Sequence, residues 1–317
     1  RVLTIGEAML SRSAQTACLI GLAAVSASAV ASERTMADPP LVAPENAVVH
    51  RNLSYVEFGH TLQKLDLYLP ETGTNLPLIV WIHGGGFRKG SKTGHGLPLH
   101  MLKDGYAVAS IDYRLTTDST FPAQIRDCKT AVRWLRAHAG DYRLDPDRFG
   151  AWGVSAGGHL AAMLGTAGDV PEFDVGMFRR FSSRVQAVCD CCGPTDLLRS
   201  ERAVKSADSA GAELIGGPIK ENPEKARRAS PVTYVTSNAP PFLIVHGDRD
   251  PVVPCSQSEI LADALKKAGV PVIFHIVSGG GHDASAKDPD VPGIVRKFFD
   301  DNLKRKRSDN RPRDSVK

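Results

Sequence analysis

A serine stands between glycines in the run Gly153-Val154-Ser155-Ala156-Gly157. A short apolar run, residues 148–152, precedes it, and a helix-forming run, residues 158–164, follows. Strand, sharp turn and helix form the context in which a G-x-S-x-G serine acts as a nucleophile. The turn lifts Oγ clear of the sheet, the glycines let strand and helix crowd together, and the helix N-terminus suits a developing oxyanion. A serine hydroxyl needs a base, and the base an orienting acid. Gly279-Gly280-Gly281-His282 offers His282 as the base, just past an apolar run. His246-Gly247-Asp248-Arg249-Asp250-Pro251 offers two acids. Gly247 turns the chain outward, so Asp248 and Arg249 read as a solvated pair at the crest, while Pro251 fixes the backbone beside Asp250. Asp250 is therefore the expected third member. In His83-Gly84-Gly85-Gly86-Phe87 the glycines let backbone amides approach a substrate oxygen. Gly85, Gly86 and Ala156 are the expected oxyanion donors, and Phe87 is expected to shape the substrate pocket. His83 is expected to brace its loop, His159 to pack on its helix and His246 to bond neighbouring loops. No Cys/His spacing resembles a zinc site, and the chemistry calls for no metal or other cofactor.

These residues need strands that end beside one another. Residues 48–58 and 63–69 carry the alternation of an antiparallel hairpin. Residues 76–82 form a continuous apolar run, as a strand buried on both faces should, and residues 106–113 form another. A short helix is expected near residues 97–103. Residues 122–139 repeat apolar positions with a 3.6 period, predicting a long helix. Further strands are expected at residues 185–192, 242–246 and 272–277, with helices at 256–268 and 292–303. Strands alternating with helices imply a mostly parallel sheet covered on both faces. Residues 198–241 fit no strand–helix unit and are expected to form a small cap of short helices.

The 317 residues suit a single α/β domain; apolar content is 42%, and the net charge of +4 is concentrated in the basic tail 304–317. That distribution gives no ground for nucleic-acid binding. Arg12 precedes an apolar, Ala-rich run closed by Ala29-Val30-Ala31, which reads as a secretory signal peptide over residues 1–31, with Met9 a candidate start. Residues 32–47 would be a leader, 48–303 the domain, and the protein is expected to be exported without stable membrane insertion.

HGGGF at residues 83–87, IDYRL at 111–115, FPAQI at 121–125, GVSAGGHL at 153–160, CGPTD at 192–196 and HGDRDPVVP at 246–254 together resemble the α/β-hydrolase esterases. Their spacing is most similar to the BD-FAE-like feruloyl and carboxyl esterase branch, near the hormone-sensitive-lipase-like esterases. Val154 stands where the latter branch usually has Asp, and no large N-terminal helical cap is expected ahead of the domain; both departures favour the BD-FAE-like branch. The chain order Ser, Asp, His is the α/β-hydrolase order. The resemblance implies an α/β-hydrolase fold with a mostly parallel sheet of about eight strands, helices on both faces and a small cap. It also implies a serine esterase acting on small-molecule or polysaccharide-linked esters, and the family's acid position falls on Asp250. A lipase or peptidase of the same fold, or a non-catalytic binding protein, is the alternative. Export would leave Cys128, Cys189, Cys191, Cys192 and Cys255 in the mature chain. The fold's usual strand order then allows a disulfide from Cys255 to Cys191 or Cys192, or else buried free thiols.

Overall fold

The computed structural model describes residues 43–94 and 96–304, and the expected signal peptide and all but the first residue of the basic tail lie outside them. Eight strands form one sheet in the order β1-β2-β4-β3-β5-β6-β7-β8. β1 (Ala47–Ser54) and β2 (Lys64–Pro70) make the expected antiparallel hairpin, with a register shift between His50 and Leu53. β2 also runs antiparallel to β4 (Ala107–Ile111). From there β3 (Leu76–Ile82), β5 (Leu144–Val154), β6 (Ala187–Cys191), β7 (Phe242–Gly247) and β8 (Val272–Val277) are parallel.

The period-two alternation of the central strands splits the core in two. Leu78, Val80 and Ile82 of β3 pack on one face, with α1 (Ala123–Ala137), α2 (Ala156–Thr166) and α6 (Ser256–Lys267). Ile79 and Trp81 pack on the other, with the 3-10 turn Leu99–Leu102 and α8 (Val291–Phe299). The cap expected over residues 198–241 consists of α3 (Glu201–Lys205), α4 (Ala210–Ile215) and α5 (Pro223–Arg228), with one 3-10 turn, Ile219–Glu221, between α4 and α5 and another, Pro231–Tyr234, after α5. A four-residue helix, α7 (Ala284–Lys287), follows His282. The last expected helix, 292–303, ends as α8 at Phe299 and continues as a π-helical turn, Asp300–Lys304. Among the described residues no helix is long and apolar enough to cross a membrane.

Three connections decide where chemistry can occur. From β3 the chain crosses to β4 on one side and returns to β5 on the other. The carboxyl ends of β3 and β5 therefore open a crevice at a topological switch point. Gly84 to Gly86 leave β3, and Ser155 leaves β5, at this crevice. β7 and β8, paired through Gly247 and Val277, bring the acid loop and the histidine loop together.

Candidate active site

Ser155 sits at the junction of β5 and α2 with φ +57° and ψ −120°, a strained conformation for a residue with a side chain. The surrounding glycines make it possible. A Cβ on Gly153 would run into the carbonyl of Gly157, and one on Gly157 into the carbonyl of Ile82. The turn is pinned from both sides: the Ser155 amide donates to Cys191 O at 2.8 Å, and His159 N donates to Ser155 O at 3.0 Å. His159 is buried, which lowers its imidazole to about 4, and the ring is fixed by its Nδ1 at 2.7 Å from Pro194 O. It packs edge-on against Phe87.

The acid and the base are joined. His282 Nδ1 lies 2.6 Å from Asp250 Oδ2. A carboxylate only accepts, so Nδ1 carries the proton and Nε2 keeps a lone pair. Asp250 Oδ1 accepts the amides of Val252 at 2.7 Å and Val253 at 3.0 Å. His246 Nε2 lies 2.8 Å from Val253 O and 3.2 Å from Asp250 Oδ2, both acceptors, so this nitrogen is protonated. Its Nδ1 then accepts the Ser258 hydroxyl at 2.6 Å. Burial lowers the His246 imidazole, which keeps it neutral. The Asp250 side chain is fully buried, and these four donors replace the water it has lost. His246 and Ser258 are thus supports of the acid. Sequence reasoning placed His246 only as a residue bonding neighbouring loops and did not single out Ser258, which reaches it across twelve residues from the first turn of α6.

Asp248 has a different place from the one expected of it. It is not paired with Arg249: Asp248 Oδ1 accepts the Gly279 amide at 2.6 Å. Asp248 N donates to Val277 O, and Arg249 N to Gly280 O. These bonds tie the acid loop to the turn before His282, because the β7–β8 pairing carries on past the sheet.

The glycine loop is braced as its histidine suggested. His83 Nδ1 lies 2.8 Å from Gly84 O, its ring stacks on Tyr113 at 4.4 Å, and the Tyr113 hydroxyl donates to His83 O at 3.0 Å. Burial lowers His83 to about 4, so it is neutral. Gly85 and Gly86 take φ +117° and +63°, open to glycine at little cost. The amides of Gly85, Gly86 and Ala156 donate no hydrogen bond among the described residues. All three residues line one cavity of about 860 Å³ together with Ser155 and His282. Phe87 also lines it, but the residue is 1% exposed and offers little surface of its own. Trp81 and Trp152, perpendicular at 5.5 Å, form an apolar wall that sequence reasoning did not single out.

The disulfide alternative does not hold in this structure: all five described cysteines are free. Cys189 and Cys191 share one face of β6, with sulfurs 3.9 Å apart. The Cys192 thiol donates to His282 O at 3.3 Å, and burial holds it well above its ordinary range. Cys192, Asp250 and His282 bring sulfur, oxygen and nitrogen donors within 4.8 Å of one another, but each already has a protein partner.

The arrangement provides a strained serine, a buried carboxylate on an imidazole, and unpartnered amides around one cavity. Those are the parts for acyl transfer through a covalent intermediate. Comparison with known proteins points the same way. The BD-FAE family profile matches residues 65–265. The probable carboxylic ester hydrolase LipM of Mycobacterium tuberculosis is 34% identical over 232 residues, covering 70% of this chain and 53% of LipM. Esterase LipQ of the same organism is 33% identical, covering 67% of this chain and 51% of LipQ. The chain thus spans about half the length of the curated relatives it matches. Among solved structures, a truncated carbohydrate esterase from gut microbiota superposes with a TM-score of 0.78 at 31% identity, covering 83% of this chain and 99% of that one. An acetyl ester-xyloside bifunctional hydrolase from Caldicellulosiruptor lactoaceticus gives 0.65 at 28% identity, covering 75% and 87%.

Proposed function

The chain belongs to the BD-FAE family, and from that premise we propose that it is a serine carboxylesterase that removes short acyl or feruloyl groups from carbohydrate. The observation that carries this reading is the convergence of Ser155, the Asp250–His282 pair and three unpartnered amides on one cavity. In the proposed mechanism Ser155 Oγ attacks the ester carbonyl, and His282 Nε2 takes its proton. The amides of Gly85, Gly86 and Ala156 receive the oxyanion. His282 then hands the proton to the departing alcohol, and water repeats the cycle on the acyl-serine. Asp250 stays ionised, holding the imidazole in the required tautomer and stabilising its charged form.

The two sides of the cavity support a carbohydrate ester. Trp81, Trp152 and Val154 are apolar and suit an acyl group. Ser200, Ser206, Asp208 and Ser209 from the cap are polar and suit sugar hydroxyls. The likeness to a carbohydrate esterase and to an acetyl ester-xyloside bifunctional hydrolase supports this choice. The proposed export rests on the sequence of residues 1–31, and N-terminal sequencing of the exported protein tests it by a start at Ser32.

The decisive experiment pairs a fluorophosphonate probe with a panel of acetyl, butyryl, octanoyl and feruloyl esters. Labelling mapped to Ser155, with acetyl or feruloyl esters turned over fastest, supports the proposal. An unlabelled serine, or octanoate as the best substrate, overturns it.

A further inference from the structure

A second hollow, of about 690 Å³, adjoins the cap side of the cavity. The two share Arg202 and Ser206, so the hollows adjoin at the cap. Arg199, Glu201, Arg202 and Lys205 bring three cations and one anion to its walls. Lys205 is already paired with Glu201 at 3.0 Å. Among the described residues no carboxylate lies within ion-pair distance of Arg199 or Arg202. Arg202 instead donates through Nη1 to Pro251 O, directly after the triad acid. By contrast Arg88, on the glycine loop, is satisfied by Glu213 and by Asp208 O. Two arginines without an acidic partner therefore flank a concave surface that opens from the site. Their planar forks match a carboxylate, which they can hold in paired hydrogen bonds.

We infer that this hollow is a subsite for an acidic saccharide, so that the preferred substrate carries a uronate carboxylate on the sugar next to the esterified one. The inference rests on the proposed esterase reading and adds the charge of the alcohol part to it. The Trp81–Trp152 wall packs with the core on one face of the sheet, whereas cap residues Ala203 and Ala210 pack against the core on the other. The acyl group and the sugar chain thus diverge from Ser155, and the chain runs over Ser206 toward the arginines. A surface binding site of this kind adds charge attraction that salt weakens, since the Debye length is about 8 Å at physiological ionic strength.

The test compares kcat/KM on acetylated xylo-oligosaccharides with and without a glucuronate branch, at low and high NaCl. p-Nitrophenyl acetate serves as a substrate without sugar or acid. The acidic substrate is expected to be preferred by about tenfold at low salt, through KM, with the preference shrinking as salt rises. Arg199→Gln, which leaves the Arg202–Pro251 bond in place, is expected to reduce the acidic-to-neutral ratio several-fold. The double variant with Arg202→Gln should bring the ratio near one, and Arg202→Lys should restore part of it. Unesterified glucuronate-bearing oligosaccharide should inhibit more strongly than a sulfated one of equal charge. An acidic-to-neutral ratio near one in the wild type, or one unchanged in the double variant, overturns the inference. Stronger inhibition by the sulfated sugar would do the same for the uronate assignment. Absence of turnover on every ester, p-nitrophenyl acetate included, would instead count against the esterase reading itself.

Discussion

Replacing Asp250 by asparagine tests the proposed triad at its least exposed side chain. The structure dictates which way the amide must face. Val252 and Val253 both aim backbone N–H groups at Oδ1, so the asparagine oxygen has to take that position. Its NH2 group then occupies the Oδ2 site, 2.6 Å from His282 Nδ1 and 3.2 Å from His246 Nε2. A donor facing His282 Nδ1 makes that nitrogen an acceptor and moves the ring proton to Nε2, the atom that in the proposed mechanism takes the proton from Ser155. The expected loss in kcat is about ten-thousandfold, or about 5.4 kcal/mol of transition-state stabilisation. The NH2 also faces the protonated His246 Nε2, so a modest drop in thermal stability should accompany the loss. Asp248→Asn is the matched control. An asparagine oxygen can still accept the Gly279 amide, and the expected change in kcat is within roughly threefold. Steady-state hydrolysis of p-nitrophenyl acetate, with circular dichroism to establish folding, reads both variants. A folded Asp250→Asn protein keeping more than about a tenth of wild-type kcat would refute the reasoning. So would an Asp248→Asn protein that lost as much.

Ser155→Ala should lower turnover about a millionfold and abolish fluorophosphonate labelling while leaving the melting temperature near that of the wild type. Asp190 is buried under the serine turn; its Oδ1 accepts the Gly193 amide, its Oδ2 has no partner, and burial raises its carboxyl to about 7. Because the folded value lies above the unfolded one, near 3.9, the native state holds the extra proton between them. Stability from this group is full below about pH 4 and is lost as pH rises through about 7, by about 4 kcal/mol. Asp190→Asn should therefore flatten the decline in urea midpoint between pH 5 and pH 8, and an unchanged slope would count against that account. Gly157→Ala pushes a methyl group into the carbonyls of Ile82 and His83 and should cost about 3 kcal/mol, seen as a lower urea midpoint; a stability equal to wild type would mean that the turn has room to relax.

Some of this was legible along the chain because its causes are local. The glycines around Ser155 are demanded by backbone contacts at the strand–helix junction, so the motif predicts a strained turn before any partner is known. The apolar run of β3 and the helical period of α1 record burial on two faces and on one, and their boundaries fell within two residues of expectation. What the sequence did not settle depends on which strands lie side by side. β5 lies between β3 and β6, so the glycine loop faces Ser155 and Cys191 O receives its amide. β7 pairs with β8, so Asp248 holds the Gly279 turn and Asp250 reaches His282, 32 residues away. The sequence left a disulfide and free thiols both open for the same reason, and the structure has free thiols: adjacency in strand order does not fix where Sγ atoms point. The Trp81–Trp152 wall and the Arg199–Arg202 hollow likewise join residues from separate elements. Local sequence determines backbone conformation through sterics and periodic burial, whereas side-chain convergence depends on sheet order and register, which only the packed tertiary structure decides.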